Sequence, residues 1–213
     1  MGAVITGGQS GNETKNYELL EGGVYPGRGL MTIDLGTHDN THDDAPKGAV
    51  KQECMIIWEV SGEPMADGRP FTVNKRFTMS LNEKSNLRKL LASWRGRDFT
   101  AEELKSFELG KVLDAPCMLN IVQSKPNRNG KVYNNVMSVM PMPKGMTLEP
   151  RVNELVDFGI DDRHNEELLA KLWPWVRSIV MESYEATGRP LPGQEPKGKP
   201  AQQEAGYSDI IPF

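Results

Sequence analysis

"FTVNKRFTMSLNEKSNLRKLLASWRG" (Phe71–Gly96) changes period halfway along. Up to Leu81 the residues alternate. Phe71, Val73, Phe77 and Met79 fall on one side with Lys75 as the odd member, and Thr72, Asn74, Arg76, Thr78 and Ser80 fall on the other. A period of two is that of a strand with one apolar and one polar face. From Asn82 onward, Leu87, Leu90, Leu91 and Trp94 recur at helical spacing, with Asn82 placed to cap the start and Gly96 to end it. "FTAEELKSF" repeats the helix grammar: Thr100 as cap, Glu103 three residues on, and Phe99 placed to staple onto Leu104.

Two strands precede this junction and two follow it. "RGLMTIDLG" (Arg28–Gly36) reads as the first strand, and "VKQECMIIWEV" (Val50–Val60) as a second buried on much of both faces. "PCMLNIVQS" (Pro116–Ser124) and "KVYNNVMSVMPMP" (Lys131–Pro143) return to strand character around the turn-rich "KPNRNG". The expected fold is mainly β with α insertions: a five-stranded OB-fold barrel with helices between strands 3 and 4. A C-terminal helical segment and a disordered tail complete it.

Five segments follow. Residues 1–21 are polar and expected to be flexible, and residues 22–145 form the barrel. Residues 146–187 form a helical extension in which Pro174 should kink or split the helix. Residues 188–206 hold 4 Gly and 4 Pro with Leu191 as the only large apolar residue, the composition of a disordered linker. As a flexible coil it would span roughly 22–26 Å. Residues 207–213, "YSDIIPF", form an apolar tip on that tether.

Composition excludes several classes. No apolar run reaches the ~20 residues of a membrane span, and no basic-then-apolar signal pattern opens the chain. Two cysteines with no C-x-x-C spacing fit reduced, buried thiols, and with them a cytoplasmic location. "GGVYPGRG" lacks the Gly-Lys-Ser/Thr of a phosphate-cradling loop. The His38–Asp44 loop ("HDNTHDD") is the one metal-like cluster, and a metal-dependent nuclease built on it would lose cleavage on chelation. Without a helix to align His38 and His42 the spacing does not define a site, so no catalytic residue, metal or cofactor is expected.

The net charge of −4 conceals a segregation. Arg69–Lys131 holds 13 Lys+Arg against 6 Asp+Glu, a balance of +7, and the rest of the chain carries −11. A basic middle with acidic flanks suits a polyanion partner. The candidate contacts are Asn74, Lys75 and Arg76 on the third strand, Arg88, Arg95 and Arg97 in and after the helix, and Lys125, Arg128 and Lys131 in the hairpin turn. Single-strand binders also need aromatic platforms for bases. Trp58 and Tyr133 are carried as candidates. Trp58 and Trp94, in apolar settings, suit core positions better than platforms.

The end "SDIIPF" resembles the C-terminal tip of bacterial single-stranded DNA-binding proteins: Asp209 matches an acidic position, and Ile211, Pro212 and Phe213 match the terminal tripeptide. Ile210 stands where that pattern has another acid. The resemblance implies a barrel that coats single-stranded DNA and a tip, Asp209, Ile210, Ile211, Pro212 and Phe213, that recruits replication, recombination and repair proteins. "FTMSLNEKSNLRKLLASWRGRDFTAEEL" resembles small bacteriophage proteins, which implies a phage-encoded protein acting in the cytoplasm of a bacterial host. The alternative is a phage adaptor that uses the tip to occupy pockets on host proteins without binding DNA. A homo-oligomer is compatible with either.

Overall fold

The computed structural model describes residues 18–194. Its centre is a six-stranded sheet in the order β3-β2-β1-β4-β5, all antiparallel, with β6 pairing in parallel to β1. β1 (Gly23–Asp39) is longer than its sequence pattern suggests, because it serves both halves of the sheet. Its first part pairs with β4 (Pro116–Gln123) and its later part with β6 (Val156–Phe158). β2 (Val50–Pro64) pairs with β1 along most of its length, and β1 carries an extra residue at Gly29/Met31 and at Asp34/Gly36, where bulges bend a strand. At the bend the backbone of a 3-10 turn, Leu109–Val112, crosses so closely that a Cβ on Gly29 would lie 2.1 Å from the Val112 carbonyl oxygen.

The sheet is β-rich and open; it does not close into the expected barrel. β3 (Pro70–Thr78) and β5 (Asn134–Met140) are its two ends, with no backbone ladder between them. The gap is bridged by a side chain: the Lys75 ammonium donates to the Val136 carbonyl at 2.7 Å. This accounts for a lysine on the apolar side of the alternation.

Two cores share β2, which is buried on both faces as its near-continuous apolar run predicts. One face supplies Cys54, Ile56, Trp58 and Val60, packed against β3, β4, β5 and the apolar stripe of α1 (Asn86–Arg95). The other supplies Met55 and Ile57, covered with Leu30, Ile33 and Leu35 by the C-terminal extension through Phe158, Leu172, Val176 and Val180. Helix α1 starts at Ser85 rather than Asn82, since the Ser85 hydroxyl accepts from Arg88 N at 3.1 Å, and it ends on left-handed Gly96 as expected. α2 (Ala101–Lys105) carries the full Thr100–Glu103 capping box. Pro174 splits the last helical stretch into α3 (Glu166–Lys171) and α4 (Pro174–Met181), followed by the short α5 (Tyr184–Thr187). β6 had no forecast; it is only three residues long.

Of the segment expected to be flexible, residues 18–21 are tied down. Leu20 is buried, its N–H donates to Asn134 Oδ1, and its carbonyl accepts from Asn134 Nδ2 and Gln123 Nε2. Residues 1–17 lie outside the described residues, as do 195–206 of the linker and the whole tip, 207–213. Among the described residues no helix is long and apolar enough to cross a membrane, and no group of three or more His, Cys, Asp or Glu is arranged to hold a metal. Cys54 and Cys117 are buried thiols; desolvation pushes Cys54 up to about 12 and Cys117 higher still.

Candidate nucleic-acid interface

The β2–β3 face is narrower than a five-stranded body alone would present. On β3, Asn74 and Arg76 are exposed, but their β2 neighbours Ile57 and Met55 lie under the C-terminal extension. Arg76 is also engaged. Its guanidinium donates to the buried carboxylate of Glu53, which Lys51 approaches at 3.2 Å from the other side. These three residues line a cleft of about 770 Å³ that Arg189 and Glu182 enclose from the extension. They also line a second cleft, of about 510 Å³, which runs past Lys75 toward Lys84. Cations outnumber carboxylates along this path, yet the central pair, Lys51 and Arg76, already shares the carboxylate of Glu53. Lys75 is turned to the β5 edge, and partial burial lowers the pKa of its ammonium.

The helix cations hold the fold together. Arg88 makes a two-pronged contact with Asp98, at 3.1 and 2.8 Å. Arg95 lies over the rings of Phe99 and Phe107, at 4.6 and 5.5 Å, and donates to Glu103. Arg97 grips the same Glu103 at 2.8 and 2.9 Å. The Arg88 contact holds the Asp98 carboxyl down at about 2, and the Arg97 contact does the same for Glu103. A phosphate would have to displace these carboxylates to reach Arg88 or Arg95. The sequence carries no sign of that pairing, because it depends on how the loop after Gly96 folds back.

The aromatic candidates separate completely. Trp58 is 0% exposed, 5.9 Å from Trp94 in the first core, and has no surface on which a base could stack. Its assignment as a nucleic-acid contact is therefore withdrawn. Trp94 is buried as well, with its indole N–H donated to the Pro116 carbonyl at 3.1 Å. Tyr133 is 50% exposed and presents its ring beside the β4–β5 turn.

Of the candidate cations named above, those of this turn have the fewest commitments among the described residues. Lys125, Arg128 and Lys131 are exposed, and none makes an ion pair among the described residues. The turn itself is built by Asn127, whose Oδ1 accepts from the N–H groups of Asn129 and Lys131. Between Asp114 and Glu149 the chain has no carboxylate in 34 residues, and four cations. The cations of this run are legible as a basic cluster, but its lack of carboxylates belongs to no motif. Lys51 and Arg189 were missed, since neither belongs to a local pattern and only the packed extension brings them together.

No family model, no curated protein and no solved structure matches this chain.

Proposed function

We propose that this chain binds single-stranded DNA without strong sequence preference, as a non-enzymatic protein of DNA replication, recombination and repair, and recruits partner proteins through its terminal tip. The strand order supports an OB-like body: β1 sits between β2 and β4, a helix follows β3, and β4 and β5 form a hairpin. The observation that carries the reading is the carboxylate-free β4–β5 hairpin, with Lys125, Arg128 and Lys131 making no ion pair among the described residues, beside the half-exposed ring of Tyr133. Unpaired cations neutralise phosphates without first breaking an internal ion pair, and an exposed ring adds sequence-tolerant stacking.

The test is an oligo(dT) titration at rising salt. Binding should weaken linearly on a log–log plot, and Lys125→Ala/Arg128→Ala/Lys131→Ala should reduce the slope by roughly 2, about 0.7 per lost phosphate contact. No binding at low salt, or equal affinity for duplex, would overturn the reading. The tip, Asp209–Phe213, rests on resemblance alone: its deletion should leave oligo(dT) affinity intact and abolish capture of bacterial replication and repair proteins. Ile211, Pro212 and Phe213 are apolar and follow Asp209, which suits an apolar pocket with a basic rim.

A further inference from the structure

The outer faces of the two halves of the sheet differ. Over β2 and the later part of β1 the face is covered by the extension; over the first part of β1, β4 and β5 none of the described residues covers it. On this side Ile121, Leu119 and Cys117 point into the core, so Met118 and Val122 point out, as do Val24 on β1 and Tyr133 and Met140 on the β5 side. The register places Met118 opposite Met140, and Val24 across from Asn120, which in turn faces Ser138. An irregularity at Asn120/Ile121 inserts Met137 as an extra residue on β5, and its side chain is 59% exposed. Bulges re-aim side chains in this way. The result is a strip about 23 Å long from Tyr133 to Met140 on which apolar side chains are interspersed with Asn120, Asn135 and Ser138.

Resting on the single-strand reading above, we infer that the bases of the bound strand lie on this outer β4–β5 face, on Tyr133, Met137 and Met140, rather than in the β2–β3 clefts. Three observations choose a nucleic-acid occupant. The strands of this face carry no carboxylate on β4 or β5, and none on β1 before Asp34, so the sheet surface itself does not oppose a polyanion. The cations lie at its ends, with Lys125, Arg128 and Lys131 in the turn beside Tyr133 and Lys144 after Met140, where a phosphate backbone would cross. Methionine thioethers are flexible, polarizable and favourable against aromatic faces, so they accept any base. Asn120, Asn135 and Ser138 supply hydrogen-bonding groups between the apolar contacts. The clefts lack these properties, with Glu53 occupying the cations at their centre.

Peroxide footprinting of the full chain tests this, because methionine oxidation follows exposure. Met137, Met140 and Met181 are all exposed, and Met181 lines the larger cleft. Saturating oligo(dT) should slow sulfoxide formation at Met137 and Met140 severalfold, read by mass spectrometry, and leave Met181 unchanged. In a parallel titration, Met137→Ser/Met140→Ser should bind roughly tenfold more weakly with the salt slope unchanged, since stacking is lost but no phosphate contact. Protection of Met181 alone, or oligo(dT) binding with neither site protected, would overturn the placement and leave the single-strand reading standing. Protection of Met137 and Met140 that rises with protein concentration in the absence of DNA would overturn it in favour of a contact between copies. Failure of the parent chain to bind oligo(dT) removes both readings.

Discussion

Trp58 shows how a residue type can point the wrong way at the scale of a single side chain. Indoles are the best stacking platforms, but this one is sealed between β3 and α1, and its Nε1 has no hydrogen-bond partner among the described residues. A buried donor without a partner is a cost that packing has to offset. Trp58→Phe should therefore cost only about 1–2 kcal/mol, against the 3–5 of truncation to alanine, and should leave oligo(dT) affinity unchanged. A melting curve and a titration on the same sample check both; lost affinity with retained stability would return Trp58 to the interface. Arg88, Arg95 and Arg97 teach the same lesson with charge. Their presence is legible in the helix pattern, but their availability depends on Asp98 and Glu103, which only the folded loop brings within reach.

Among elements, the α1–α2 pair is the part most open to a pH test. The Asp98 and Glu103 carboxyls lie at about 2 in the folded protein, against ordinary values of 3.8 and 4.5, chiefly through hydrogen bonds from Arg88 and Arg97. As pH falls the unfolded chain takes up protons first. The stability these contacts contribute is thus complete above about pH 5 and is lost progressively toward pH 2. The melting temperature of the parent should fall more over that window than that of Asp98→Asn/Glu103→Gln, and parallel curves would refute the assignment. The existence of β1–β5 and of the helices after β3 was readable from the sequence, because the shift from alternation to helical spacing at Leu81 is local chemistry, whereas the three residues of β6 are too few to show a period. Element ends were less so: Ser85 replaces Asn82 as cap because its hydroxyl meets the Arg88 N–H, a choice between two good capping residues that composition leaves open.

Across the whole molecule, the extension decides which surface is left for a ligand. It is held by a buried carboxylate on β2: Glu59 accepts from the Val152 N–H at 3.2 Å and from the Asn153 N–H and side-chain amide at 2.9 and 2.7 Å. Ser61 accepts from the Glu149 N–H beside it. Glu59→Ala should lower the unfolding free energy by about 2–3 kcal/mol, because charged acceptors contribute most and their donors would be left unpaired. A urea midpoint unchanged from the parent would show that the connector is held elsewhere. At the far end of the extension, Gly36 has φ +81, and a Cβ there would lie 2.8 Å from both Ser183 and Glu185, so β1 and the α4–α5 junction meet only because that position is glycine. Sequence alone determined five of the six strands, the helix after β3, the doubly buried β2 and the split at Pro174, since alternation, helical spacing and proline act over a few neighbouring residues. Only tertiary structure decided that the sheet stays open across Lys75, that Glu53 and Glu103 occupy expected contacts, and that the extension leaves the β4–β5 face uncovered. Those outcomes rest on residues far apart in the chain, whose pairing depends on how the whole body packs.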